Sequence, residues 1–479
     1  MTDPTAEGGL RRSLGVRDVA LYFVVACTNL QWVATAAAAG PSSLLAWIIG
    51  LFAMFVPISV CVVFLASRYP DHGGLYVWSK RAFGPFAGFM TGWTYWTGNL
   101  SYFPGLMYFA AANLLFVGGT AGAGNADGLA GAPLYFVAVA LLGIGVGTWL
   151  NVLGLGVGKR LSNAGAYTRT LATLLLIVLG VVAWWRFGPA TRFDATTLVP
   201  RVGIANLIFW STIAFAWTGP ESASFMGGEI EDPRRTVPRA LAIAAPLIAA
   251  IYILGTLSVL VAVPPSATSP MYGVMDAIAG TGTRLGIGWV VPLGACLLAF
   301  TCVGSVGAWS GSVARIPFVA GIDSYLPKAF GRMHPRYGSP ANALITQAAL
   351  ACLFAVLGQA GSTVKGAYDV LVSMMVIATM LPFLFLFAIA IRLSADPPAP
   401  GELRIPGGRA TIIAMALVGL ATTLGSIALA ALPQPGDTHW VLALVKIVGG
   451  TVVVVGAGAV VYALGSRRTA RAASAAAAT

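Results

Sequence analysis

Long apolar runs, almost free of charge, recur from one end of this chain to the other, and nothing else in the sequence limits its fold so strongly. A helix crosses a bilayer's hydrocarbon in about 20 residues. Twelve runs reach or approach that length, near 19–39, 43–66, 86–117, 134–155, 164–185, 204–227, 240–263, 285–313, 341–357, 368–391, 410–432 and 441–464. Of the 479 residues 58% are hydrophobic and 9% charged, against roughly 25% charged in a soluble domain. Too little polar surface remains to face water, so the expected fold class is an all-α membrane protein with twelve transmembrane helices. The third and eighth runs are long enough to tilt or to extend past the bilayer. The longest loops, near 118–133, 186–203, 264–284 and 314–340, are too short for a soluble domain. The first of them is rich in Gly and Ala and reads as a flexible loop. Residues 1–18 are polar and lead straight into a full-length run, which reads as no cleavable leader. The tail 465–479 is basic and Ala-rich and is expected to be disordered or to lie on lipid headgroups.

The basic residues orient the chain. With the N-terminus in the cytoplasm, only Arg186, Arg192, Arg201, Arg284, Lys365 and Lys446 of the 28 Lys and Arg fall on the outer side. All the others lie at cytoplasmic segments, as the positive-inside rule requires. Both termini are then cytoplasmic and the membrane is the plasma membrane, in a bacterium the inner one. This topology also accounts for the net charge of +12. A nucleic-acid partner is not needed, because the charge is spread over short loops and not gathered in one patch. The expected partners are the lipid bilayer and a small solute, and a homo-oligomer is compatible with such a chain. Five cysteines (Cys27, Cys61, Cys296, Cys302, Cys352) all lie in apolar runs and read as small buried hydrophobes, not as a disulfide framework. His72, His334 and His439 fall in expected loops and form no metal site from sequence evidence. No cofactor is expected.

Function is to be sought where the membrane rules are broken. One break lies halfway along the first run, at Cys27-Thr28-Asn29-Leu30-Gln31-Trp32, where adjacent amides at mid-bilayer are costly without partners. A second lies halfway along the sixth, at Trp217-Thr218-Gly219-Pro220-Glu221. There Gly permits a non-helical backbone, Pro removes an N–H, and Glu221 places a carboxylate inside the membrane. A lone Gly-Pro kink is common in membrane helices without any binding role. Two breaks five helices apart, in runs that cross in opposite directions, are instead the mark of an inverted repeat. Each break frees N–H groups on one half-helix and C=O groups on the other. The first can hold a carboxylate and the second an ammonium, so the pair suits a zwitterion.

Three motifs resemble the amino acid–polyamine–organocation (APC) superfamily of transporters, over about residues 15–465. The first is Pro70-Asp71-His72-Gly73-Gly74-Leu75-Tyr76, with Gly84 and Gly92-Trp93. The second is Gly219-Pro220-Glu221 with Glu229, Asp232-Pro233-Arg234-Arg235 and Pro238-Arg239. The third is Arg315, Asp323, Leu326-Pro327, His334-Pro335-Arg336 and Gly338-Ser339-Pro340. Within the superfamily, Asn29-Leu30-Gln31-Trp32, Phe55-Val56-Pro57 and 103–109 resemble the glutamate/GABA antiporter-like branch. The resemblance implies two inverted five-helix repeats plus two further helices. The chain then divides into an N-terminal segment 1–18, repeats 19–187 and 188–392, helices 11 and 12 in 393–464, and a tail 465–479. Substrate would meet backbone at Asn29, Leu30, Gln31, Trp32 and Val33, and carbonyls at Phe215, Ala216, Trp217 and Thr218. Trp217, Gly219, Pro220 and Glu221 would gate or couple. Asn99 and Tyr102 in the third run, beside Tyr95 and Trp96, and Ser305 and Trp309 in the eighth, beside Ser310, are further wall candidates. These residues also suit ordinary helix packing.

Two departures bear on coupling. Some relatives carry a Lys in the fifth run as a proton-linked stand-in for sodium. Thr173 falls near that position here, Lys159 lies too close to the cytoplasmic end, and Arg169 and Lys446 read as snorkelling residues near span ends. Acid-activated antiporters of this branch carry a longer C-terminal plug than the tail 465–479, so acid gating by such a plug is not expected. The expected function is secondary active transport of an amino acid or related amine by alternating access, through exchange or with proton coupling. A polyamine or other organic cation is the alternative cargo. An intramembrane enzyme would need a second acid, a Ser–His pair or a metal set near Glu221. A channel would use symmetric polar rings, and an ATP-driven pump a P-loop. The chain has none of these patterns.

Overall fold

The computed structural model describes residues 12–69, 74–118, 132–200, 203–323, 325–398, 402–432 and 440–477. Its main helices are α1 (Val16–Cys27), α2 (Leu30–Ala38), α3 (Ser42–Arg68), α4 (Leu75–Phe83), α5 (Pro85–Gly118), α6 (Pro133–Val152), α7 (Leu155–Phe187) and α8 (Ile204–Ala216). They continue with α9 (Pro233–Ala262), α10 (Gly273–Arg284), α11 (Val290–Val313), α12 (Arg315–Ile322), α13 (Ala341–Gln359), α14 (Val364–Leu393), α15 (Gly408–Ala430) and α16 (Trp440–Arg468). Among the described residues 11 segments are long and apolar enough to cross a membrane, with α1 and α2 counted together. The remaining expected run, 204–227, is divided. Helix α8 has 13 residues and is followed by a 3-10 stretch, Pro220–Glu229, of 10. The cause is local: Gly219 takes φ +127°, which an L side chain rarely adopts, and Pro220 cannot continue the ladder.

Three sequence expectations are corrected. Part of the loop after the second span folds as α4, whose Leu75, Tyr76, Trp78 and Ser79 are buried while Lys80 and Arg81 are less so. The tail is helical through Ala477, since an Ala- and Arg-rich segment continues the preceding span with high helix propensity. Helix α7 begins at Leu155 and not near 164, which matters for the site below. The expectations at 70–73, 119–131 and His439 lie outside the described residues.

Burial sorts the helices into an inner and an outer set. The most apolar windows of α1–α2 and α5 are each 89% buried, and those of α14 and α11 are 67% and 61% buried. The windows of α6 and α15 are 28% and that of α16 17% buried, and their exposed Leu142, Leu417 and Val453 suit a lipid-facing surface. Inner helices approach closely where glycines face each other. A Cβ on Gly304 of α11 would lie 2.5 Å from the Gly165 Cα of α7. Such small-residue contacts let helices pack without a hydrophobic drive between them. Gly304→Val is expected to destabilise the protein by about 1–3 kcal/mol through overpacking, read as a lower melting temperature in detergent. An unchanged melting temperature would show that this crossing has slack.

The sequence motifs converge on the membrane face that carries the amino terminus. The Tyr76 hydroxyl and Lys80 Nζ both donate to Asp323 Oδ2 at 2.7 Å. Arg315 and Glu229 form a buried two-pronged ion pair, with Nη2 2.8 and 2.9 Å from the two carboxylate oxygens. The Ser13 and Leu14 N–H groups donate to the Glu229 carbonyl at 2.9 Å, and Lys159 pairs with Asp18 at 2.6 Å. Tyr76 and Asp323, and Glu229 and Arg315, named in different motifs, are thus brought together in space.

On the opposite face, α10 packs against α2, α7, α9 and α11. Burial pushes its Asp276 carboxyl up from 3.8 to about 6. A carboxyl with a raised folded value holds its proton more tightly in the folded chain, so stability falls as pH rises through about 4 to 6 and is then level. Asp276→Asn is expected to raise the melting temperature at pH 7.5 and leave it unchanged at pH 4. An equal shift at both pH values would contradict this.

Candidate substrate pathway at two broken helices

Three cavities follow one another along the broken helices. Tyr22, Met226 and Arg315 line one of about 50 Å³ on the amino-terminal face. Asn29, Trp32, Asn99, Tyr102, Phe215, Ala216, Thr218 and Trp309 line a central one of about 20 Å³. Trp32, Thr35, Ser211, Thr212, Lys365 and Tyr368 line a vestibule of about 280 Å³ on the far face. Residue numbers rise along this sequence of cavities in the first span and fall in the segment 204–229, so the two run in opposite directions. Trp32 borders both the central cavity and the vestibule. Its ring meets Phe215 edge to face, with centroids 5.6 Å apart.

The first break arises because Thr28 and Asn29 take extended backbone angles between α1 and α2. Asn29 caps α2 and its Nδ2 donates to the Tyr102 hydroxyl at 3.3 Å. The second break lies against the first: a Cβ on Gly219 would sit 2.7 Å from Cys27 Sγ. The Tyr252 hydroxyl of α9 lies 3.0 Å from the Cys27 carbonyl and 2.9 Å from that of Ala216, the last residues of α1 and α8. One phenol therefore ties together the C-terminal ends of two half-helices, where partial negative charge gathers. A volume of 20 Å³ holds little more than a water molecule. An amino acid can enter only if Trp32, Phe215 or their helices move.

Two buried ionisable side chains flank this junction. Glu221 accepts from the Tyr95 hydroxyl at 2.5 Å and from the Gly219 N–H at 2.9 Å. Arg169 of α7 is fully buried. Its Nη1 donates to the Val25 carbonyl at 2.9 Å and the Thr28 hydroxyl at 3.1 Å, and its Nη2 donates to the Ser305 hydroxyl. The guanidinium thus rests on the C-terminal end of α1 and joins it to α11. The expectation that Arg169 snorkels from a span end is wrong. Because α7 starts at Leu155, Arg169 lies about 21 Å along it at 1.5 Å per residue. Lys446 instead reaches the Gly358 and Ala360 carbonyls and the Ser362 hydroxyl at the end of α13.

Eight of the expected wall residues therefore share the central cavity. Leu30, Gln31, Val33, Trp217 and Ser305 do not line it. Val33 sits against Gly255 of α9, and Ser305 serves Arg169. The Trp217 ring is locked among Trp47, Phe55 and Tyr252, and its Nε1 donates to the Trp47 carbonyl at 3.1 Å. Gly50 makes room for it, since a Cβ there would lie 2.6 Å from the indole. Trp217 is thus off the cavity wall, and the aromatic pair between cavities is Trp32–Phe215. Sequence reasoning missed the buried place of Arg169, and Tyr252 and Thr379, which also line the central cavity. A basic residue following a run of helix-compatible residues from 155 was the available signal for the first.

A multi-pass helical protein with an interrupted path through its centre belongs to the class of membrane transporters, and comparison with known proteins narrows the class. The sequence profile described as Amino acid permease matches residues 16–457. The chain belongs to that family, within the APC superfamily that its motifs resemble, and is a permease and not an enzyme. It is 28% identical to an uncharacterized transporter of Legionella pneumophila over 88% of this chain and 90% of that one. It is 27% identical to a probable agmatine/putrescine antiporter of Lactococcus lactis, over 68% and 67% of the two chains. It is also 27% identical to the cadaverine/lysine antiporter of Escherichia coli, over 74% and 76%. The crystal structure of MhsT in complex with L-phenylalanine superimposes with a TM-score of 0.66 at 15% identity, over 88% of this chain and 100% of that one, which shows a shared fold.

Proposed function

We propose that this permease exchanges amino acids or related amines across the plasma membrane by alternating access, with the cargo held between the two breaks. The observation that carries this reading is the meeting of two antiparallel broken segments around one central cavity, with a vestibule of about 280 Å³ on one side and a cavity of about 50 Å³ on the other. Segment 204–229 is then the twelfth crossing, and 19–187 and 188–392 are the inverted repeats. The bias of basic residues puts the amino-terminal face in the cytoplasm, so the 280 Å³ vestibule opens outward. The N-terminal end of α2 offers N–H groups to a carboxylate, and the ends of α1 and α8 offer carbonyls to an ammonium. Cadaverine, lysine, agmatine and putrescine, named for two relatives, each carry a cationic group on an aliphatic chain. A diamine cargo is compatible with the carbonyl end of the site alone.

Arg169 bears on coupling. A guanidinium stays protonated in proteins, so it cannot release a proton during the cycle. It supplies a permanent positive charge at the end of α1, where a bound cation would otherwise be needed. This favours exchange, with Glu221 as the group able to respond to pH. The test is uptake of a radiolabelled panel of amino acids and amines into proteoliposomes, empty or loaded with unlabelled solute. Uptake that depends on internal solute, and is unchanged when sodium is replaced by choline, is expected. Equal uptake into empty vesicles would argue against exchange.

A further inference from the structure

The vestibule holds more than an approach to the central cavity. Lys365 and Asp369, one turn apart on α14, both line it and pair at 2.8 Å. Next to Asp369 in sequence is Tyr368, which is 3% exposed and shares the wall with the Thr35 hydroxyl, its polar neighbour. Val372, Val376 and Ile208 give the cavity an apolar side, and Trp32 forms its border with the central cavity.

We infer that this vestibule is a second binding site, selective for the zwitterionic head of an α-amino acid, which loads there before the Trp32–Phe215 pair opens. This rests on the proposed transport of amino acids or amines and names which of the two the outer face selects. The reason is charge matching. An amino acid can set its carboxylate on Lys365 and its ammonium on Asp369, so that the protein's own pair separates with no charge left alone. A diamine can satisfy Asp369 only by stranding Lys365 beside a second cation, and like charges side by side repel. The Tyr368 hydroxyl is a further donor or acceptor for the carboxylate or amine, and the apolar side accepts the aliphatic part of the side chain. At about 280 Å³ the vestibule, unlike the central cavity, has room for such a molecule without rearrangement. A surface pair one helical turn apart is ordinarily a minor stabiliser, so the place of this one, with Lys365 exposed and Asp369 half-buried on the wall of a cavity large enough for a solute, is the informative part.

The experiment compares radiolabelled L-lysine with cadaverine, and L-leucine with isopentylamine, in proteoliposome exchange. Each pair differs by the α-carboxylate alone. Lys365→Gln is expected to raise the KM for lysine and leucine about tenfold with little change in maximal rate, while lowering the KM for the two amines, which no longer meet a second cation beside Asp369. The exchanged pair Lys365→Asp with Asp369→Lys is expected to recover most of the amino acid affinity, which separates charge matching from loss of folding. If Lys365→Gln changes amino acid and amine alike, or neither, the vestibule site is wrong while the transporter stands. If the wild-type protein moves none of the four solutes, both the vestibule site and the broader reading are contradicted.

Discussion

Arg169→Gln is expected to abolish exchange, by a factor of at least about a hundred, while leaving a folded protein. Each partner of the guanidinium has its own fate once the charge is gone. The Thr28 hydroxyl already donates to the Val24 carbonyl, and the Ser305 hydroxyl donates to the Thr301 carbonyl at 3.0 Å, so both keep a bond. Only the Val25 carbonyl loses its partner. Removing a buried charge also relieves its desolvation, so the fold survives. Transport does not survive, because the charged bonds that hold α1 to α7 and α11 are gone. A hydrogen bond to a charged group contributes about 1.5–3 kcal/mol, and each 1.4 kcal/mol is about tenfold in rate. A hundredfold loss follows where about 2.8 kcal/mol of this holding is stronger in the transition between the two access states than at rest. Arg169→Lys keeps the charge but not the planar fork, and an intermediate loss is expected. Proteoliposome exchange, normalised to monodisperse protein, measures all three; wild-type rates in Arg169→Gln would remove the residue from the mechanism.

Glu221→Gln carries the second large effect. The side chain links α5 to the break, accepting from Tyr95 and from the Gly219 N–H. Glutamine keeps the shape. Its carbonyl can accept the Gly219 N–H, and its amide can donate to the Tyr95 oxygen, since a phenol can accept as well as donate. The fold should therefore hold, with a small change in melting temperature. What is lost is the charge and the capacity to take up a proton. Exchange is expected to fall at least about tenfold and its pH profile to flatten. Glu221→Ala, which leaves the Gly219 N–H and the Tyr95 hydroxyl unpartnered in a buried place, should cost about 1–3 kcal/mol of stability for each. A pH profile for Glu221→Gln that matches the wild type would rule out a role for this carboxylate in coupling.

Much of this was legible in the sequence, and the limits have physical causes. Apolar runs report crossing segments directly, because hydrocarbon tolerates little else. The breaks were legible for the same reason, as Asn29, Gln31, Gly219, Pro220 and Glu221 violate that rule. Depth along a helix was less legible. A run bounded by Lys159 and Arg160 reads as starting after them, yet Lys159 is paired with Asp18 and the helix begins before it. That shift of a few turns concealed Arg169. Side-chain direction was lost at the breaks, where helical periodicity stops. Trp217 and Phe215 could not be told apart as cavity wall and packing until the backbone between them was placed. The links between Glu229 and Arg315 and between Lys80 and Asp323 join residues far apart in sequence, and no local pattern encodes them.

A structure determined with a transported amino acid bound tests the central claim most directly. The account predicts the α-carboxylate against the N-terminal end of α2 near Asn29 and the ammonium against the carbonyl ends of α1 and α8, with Trp32 or Phe215 displaced to admit it. Amino acid seated in neither the central cavity nor the vestibule, with the two breaks closed on each other as they are now, would contradict it.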